Sequence, residues 1–120
     1  MGEYQMGTIE TRFADIIWNN EPISSTELSK LSEASLGWKK STTYTVLKRL
    51  CDKGIFKNEK GTVTSLMTRQ EFFGVQSERF VEETFEGSLP AFLAAFTARK
   101  KLTKEEVSQL RKMVAEYEED

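Results

Sequence analysis

The residues best able to do chemistry in this chain gather between Trp38 and Lys60. WKKSTTYTVLKRL, Trp38 to Leu50, and the ten residues after it hold seven basic side chains: Lys39, Lys40, Lys48, Arg49, Lys53, Lys57 and Lys60. Against them stand two acids, Asp52 and Glu59, although the whole chain has a formal net charge of −2. Positive charge is therefore segregated, and a local basic patch is the footprint of a polyanion site. A solvated helix face is the plain alternative for any such cluster. The interleaved hydroxyls of Ser41, Thr42, Tyr44 and Thr45 narrow the chemistry. Short hydroxyls hydrogen-bond to base edges and let a helix approach a groove closely, Thr methyls touch a thymine methyl, and Lys and Arg reach phosphates on either side.

Other chemistry is excluded by composition. The chain has no histidine and a single cysteine, Cys51. Neither a Ser-His-Asp nor a Cys-His nucleophilic centre can be built from it, nor can a zinc site of Cys/His type or an internal disulfide. One cysteine points to a cytoplasmic setting. Most glutamates, among them Glu27, Glu71, Glu106, Glu118 and Glu119, fall at capping positions or on solvent faces, with no pair set in an apolar pocket. The reading is of a non-enzyme with no cofactor and no metal. Cys51 lies on the flank of a helix, where core packing is its default role; a sensing thiol would need Lys48 and Lys53 to favour its thiolate. No apolar run approaches the roughly 18 residues of a bilayer span, so no membrane insertion is expected. MGEYQMGTIE has neither a basic nor an apolar leader region.

The basic segment must be positioned by the elements around it. Ile9, Phe13, Ile16 and Ile17 form one face of a first helix over Thr8–Asn19, ended by Asn19, Asn20 and Pro22. Ser24 and Glu27 make a capping box, and Ile23 and Leu28 its hydrophobic staple, for a second helix from Ser25 to about Ala34. Gly37 marks the following turn. A third helix runs from Lys40 or Ser41 to Asp52 or Lys53, with Gly54 as its C′ residue. Its buried arc is Thr43, Val46, Leu47 and Leu50; Ser41, Thr42, Tyr44, Thr45, Lys48 and Arg49 spread over the opposite arc. Ile55 to Asn58 reads as a strand, Glu59-Lys60-Gly61 as a hairpin tip, and Thr62 to Met67 as the returning strand. Three helices and a basic hairpin make a winged helix-turn-helix, with the third helix as the recognition helix in a major groove.

The start signal recurs at Thr68 and Glu71, stapled by Met67 and Phe72, and at Thr103 and Glu106, stapled by Leu102 and Val107. These predict helices over Arg69–Phe85 and from Lys104 to about Tyr117, with another from just after Ser88 to Arg99. The fold class is thus mainly α with a small β-hairpin. A winged-helix DNA-binding domain spans 1–67 and a three-helix dimerisation domain spans 68–120. Three helices make a poor independent core, so self-association through Phe80, Phe85, Leu89, Phe92 and Phe96, and through the Val107, Leu110, Val114, Tyr117 seam, is the simplest solution. The competing reading is a winged-helix protein-interaction module that binds no DNA. It calls for acidic or apolar residues on the third helix, which the basic face opposes.

GTIETRFADIIW, with Glu10 and Trp18 in place, LGWKKSTTYTVLKRLCDKGI, and the stretches LMTRQEF, FEGSLPAFLAAF and KKLTKEEVSQLRKMV together resemble the BlaI/MecI penicillinase-repressor family. CopY-type copper-responsive repressors belong to it too, but their paired C-terminal cysteines have no counterpart in VAEYEED. The resemblance implies a homodimeric repressor on a palindromic double-stranded operator. Thr42, Thr45 and Arg49 match positions where family members contact DNA. Ser41 and Tyr44 stand where well-known members carry Lys and Arg, which implies a different operator preference. After Gly61 the chain has TVTS where the family has an Arg and a Tyr-x-Tyr run, which leaves phosphate contacts to Lys57 and Lys60. Penicillinase repressors are released when a sensor-linked protease pathway cuts before a Phe. The corresponding bond is Ala95–Phe96, with Ala95 replacing the family's Asn, and a core role for Phe96 is the alternative.

Overall fold

The structure is a computed structural model and describes residues 6–118. In chain order it contains α1 (Thr8–Asn20), β1 (Ile23–Ser24), α2 (Ser25–Leu36), α3 (Lys40–Asp52), β2 (Phe56–Glu59), β3 (Thr62–Ser65), α4 (Arg69–Phe85), α5 (Leu89–Arg99) and α6 (Lys104–Glu118). By its internal contacts the chain falls into two compact units, the first ending at Arg79 and the second beginning at Phe80.

The core of the first unit is assembled from one face of each element. Phe13, Ala14 and Ile17 come from α1, Leu28 from α2, and Val46, Leu47 and Leu50 from α3; Ile55, Phe56, Val63 and Phe72 complete it. Truncating a buried Phe in such a core costs about 3–5 kcal/mol. The α3 arc read from the sequence is the one buried, Thr43 included. On α1, Phe13 and Ile17 are buried but Ile9 stays exposed. Trp18 spans several elements. Its ring lies 5.2 Å from Phe56 and 5.9 Å from Phe72, and its indole N–H donates to the Met67 carbonyl at 3.0 Å. Phe72, on the first turn of α4, is thereby drawn into this core.

The sheet has a third strand that the sequence reading lacks. β1 pairs antiparallel with β3, Ile23 opposite Val63 and Ser24 opposite Thr62, giving the order β1-β3-β2. A strand of two residues has no periodicity to read. Ser24 serves both structures: its backbone joins the sheet and its Oγ accepts from the Glu27 amide at 3.0 Å. The hairpin turn is also tighter than the three-residue tip read from the sequence, because Glu59 still pairs with Thr62. Lys60 and Gly61 alone make the turn, at φ 52° and 86°, the two positive values of a type I′ turn.

Gly54 ends α3 in a Schellman arrangement, its N–H on the Cys51 carbonyl at 3.0 Å and that of Ile55 on Leu50 at 3.1 Å. The later caps form as their spacing requires. The Thr68 amide donates to Glu71 Oε1 at 2.9 Å, and the Glu71 amide donates to Thr68 Oγ1 at 3.0 Å. Thr103 and Glu106 repeat the exchange at 2.9 and 3.0 Å.

In the second unit, Phe80, Phe85 and Phe92 meet edge to face with centroids 5.7–6.1 Å apart, and Phe96 joins at 6.1 Å from Phe92. Among the described residues from Phe80 onward none is buried. No helix among the described residues is long and apolar enough to cross a membrane.

Candidate nucleic-acid interface

α3 is built to show one face and hide the other. Its buried Thr43, Val46, Leu47 and Leu50 leave Ser41, Thr42, Thr45, Lys48 and Arg49 exposed on the other side, with Lys39 and Lys40 exposed at the start. Tyr44 is half-buried, its ring against the edge of the core and under the Lys40 ammonium, 5.7 Å from Nζ. It can offer its phenol but not its whole ring. The Thr45 hydroxyl donates to the Ser41 carbonyl at 2.9 Å, which leaves its oxygen able to accept.

The start of α3 differs from those of its neighbours. α2, α4, α5 and α6 have the hydroxyls of Ser24, Thr68, Ser88 and Thr103 on their first amides. The N-cap of α3 is Lys39, whose side chain makes no cap hydrogen bond. Unbonded N–H groups and the positive end of the helix dipole favour an anion there, and two lysines flank it. The sequence shows this as an absence: position 39 carries no Ser, Thr, Asp or Asn.

Trp38, which has no role in the sequence reading, packs against the core ahead of α3. Its ring lies 5.0 Å from that of Phe13, and Gly37, at φ 69°, turns the chain back with its N–H on the Glu33 carbonyl at 3.0 Å.

Among the described residues, Lys48, Lys57 and Arg49 have acidic partners. Lys48 meets Asp52 one turn on, at 3.3 Å, and Lys57 meets Glu59 at 3.0 Å. Both pairs are open to water, where such contacts contribute little and exchange readily. Arg49 Nη1 meets Glu10 Oε2 at 2.9 Å. Glu10 stands on α1, 39 residues away, so no local spacing could have revealed this pair. Lys57 lies exposed on β2 and Lys60 at the hairpin tip. Burial raises the Cys51 thiol pKa, with Asp52 adding to it, so the thiolate considered from the sequence is disfavoured.

The residues read as dimerisation contacts lie on the second unit. Phe80, Leu89, Phe96, Val114 and Tyr117 are exposed, and Phe85, Phe92, Val107 and Leu110 half-buried. Leu102, Val107, Leu110 and Val114 line an open groove of 460 Å³ along α6. Ala95 and Phe96 sit inside α5, both exposed, and the Phe96 carbonyl accepts from the Lys100 amide at 3.0 Å.

Three packed helices, the third of them basic on its outward face, and a small antiparallel sheet define a winged helix-turn-helix protein. The solution structure of the DNA-binding domain of the repressor BlaI shares this fold: it matches with a TM-score of 0.53 at 23% identity, over 58% of this chain and 90% of that one. The profile of the penicillinase repressor family matches residues 6–116, and the chain belongs to that family, whose members are transcriptional regulators and not enzymes. A penicillinase repressor of Bacillus licheniformis is 26% identical over 117 residues, 94% of this chain and 91% of that protein.

Proposed function

We propose that the chain is a DNA-binding transcriptional repressor that acts as a homodimer on a palindromic operator, with recognition up to Met67 and dimerisation from Thr68 onward. The observation that carries this reading is the outer face of α3. Ser41, Thr42 and Thr45 stand exposed between Lys39, Lys40, Lys48 and Arg49, on a helix start that no side chain caps. Such a face fits a major groove, with hydroxyls on base edges and cations on phosphates. Lys57 and Lys60 add phosphate contacts from the hairpin. The relative named a penicillinase repressor and the fold shared with a repressor's DNA-binding domain support the same reading.

Dimerisation brings a second α3 to the same duplex. Half-sites then lie about 10 bp apart or a multiple of it, and the two engagements reinforce one another through effective concentration. The exposed Phe80, Leu89, Phe96, Val114 and Tyr117 are the apolar surface that a second copy would cover.

Release by a sensor-linked protease at Ala95–Phe96 fits the same design. A bond inside a helix must unwind before it is cut, and α5 has no buried residue to oppose unwinding. Cutting there parts α6 from the rest of its unit and removes the two-site advantage. Selection of bound fragments from a genomic library by the purified protein tests the DNA reading directly. Enrichment of an inverted repeat is expected, and recovery no better than that of a non-binding control protein would overturn it.

A further inference from the structure

We infer that Glu10 is a positioning residue for DNA binding: it holds the Arg49 guanidinium at the outer edge of α3 with its remaining donors turned to a phosphate. This rests on the DNA-binding reading above. Three observations carry it. The Nη1 to Oε2 distance is 2.9 Å, and the exposures are unequal, 18% for the Glu10 side chain and 50% for Arg49. The anchor is thus sheltered while the cation it holds is half in solvent. The second carboxylate oxygen of Glu10 faces the Gly7 amide at 3.4 Å, so Glu10 is set by the first turn of α1, an element outside the helix-turn-helix proper. A guanidinium has five N–H donors in a fixed fork, and one carboxylate oxygen occupies only part of that fork.

The consequence is pre-organisation. A free arginine loses its rotamer freedom when it docks, whereas an arginine already held has little left to lose. The other pairs on this surface lack this character. Lys48 and Asp52 are 78% and 67% exposed, and Lys57 and Glu59 lie within one strand. They are local and water-filled, and neither fixes its lysine from a second element. The opposite role for Glu10, as an internal competitor that keeps phosphates from Arg49, makes the opposite prediction.

The test uses the full chain, a fluorescein-labelled mixed-sequence duplex of about 40 bp, and anisotropy across about 50–200 mM salt, the range where phosphate contacts dominate. Glu10→Asp keeps the charge but withdraws the carboxylate by one methylene; Glu10→Gln keeps the length but removes the charge. Each is made in the natural chain and in an Arg49→Ala background, with thermal melts alongside. Both single variants should bind about three- to tenfold more weakly, with a salt slope shallower by up to about 0.9. In the Arg49→Ala background neither should change affinity further. A stabilising role alone would move the melts and leave the salt slope untouched. Tighter binding, unchanged binding, or an equal loss without Arg49 would each overturn the inference while leaving DNA binding intact. If a Glu10 variant does not fold, Arg49→Lys serves in its place: a lysine keeps the charge but not the fork that holds one donor on Glu10 and leaves the others outward, so the same roughly three- to tenfold weaker binding is expected, and unchanged affinity overturns the inference. Failure of the natural chain to bind the duplex at any salt would instead overturn the DNA reading, and this inference with it.

Discussion

The ring of Trp38 packs against that of Phe13, their centroids 5.0 Å apart and their planes 37° from parallel. This contact joins Trp38, two residues before α3, to the middle of α1. Trp38→Ala should destabilise the first unit by about 2–3 kcal/mol, less than a fully buried aromatic because Trp38 is half-buried. A fall in the urea midpoint measures this; an unchanged midpoint would mean that the turn alone sets the helix.

Lys48 and Thr45 lie on the same outer face but should fail differently. On the proposed docking Lys48→Ala removes a phosphate contact, so the slope of log K against log salt should lose about 0.9. Thr45→Ala removes the methyl and acceptor that the proposed docking sets against bases, so it should change which fragments are selected more than how tightly mixed DNA is held. Equal effects on both readouts would place Thr45 outside the groove.

The two reciprocal caps predict an acid sensitivity. Glu71 is held below the ordinary glutamate value of 4.5 by the Thr68 amide and then by its hydroxyl; Glu106 is lowered in the same way by Thr103, with Lys100 contributing. A lowered folded pKa stabilises the fold above the ordinary value and is lost as pH falls through the lowered one. Helicity should therefore decline on acidification below that range. The Glu71→Gln, Glu106→Gln double variant should show a flatter decline in circular dichroism, and identical profiles would detach the caps from the effect.

Lys60 occupies a left-handed position, φ 52°, in a two-residue turn. Asn adopts that conformation more readily than Lys. Lys60→Asn should raise the unfolding free energy by up to about 1 kcal/mol while weakening DNA binding, since a cation at the wing tip is lost. Stability and affinity moving in the same direction would refute the trade.

Leu110 and Val114 line the groove along α6. Replacing both with Glu should give monomers in sedimentation velocity and loss of cooperative operator binding. Dimers that persist would move the seam elsewhere.

What the sequence revealed and what it concealed follow from range. α4 begins at Arg69 as expected because its signal, Thr68 with Glu71, is complete within four residues. The two faces of α3 were legible because a helical period decides them. β1 was not, since two residues carry no period and its partner β3 comes only after two helices. The Glu10 to Arg49 pair and the Trp38 to Phe13 contact join residues whose proximity only the folded chain creates. Cys51 packs against the core, its default role in the sequence; the alternative of a sensing thiol fails because nearby lysines are visible in sequence, but burial is not.

From Phe80 onward no described residue is buried, and this has a consequence for abundance. A segment that keeps its oily side chains within reach of water gains order only when something covers them, and if a twin molecule does so, that order follows mass action. Dilution alone would then loosen the tail. A cell holding few copies would have a slack regulator and one holding many a taut one, so supply itself would tune the grip before any inducer arrives.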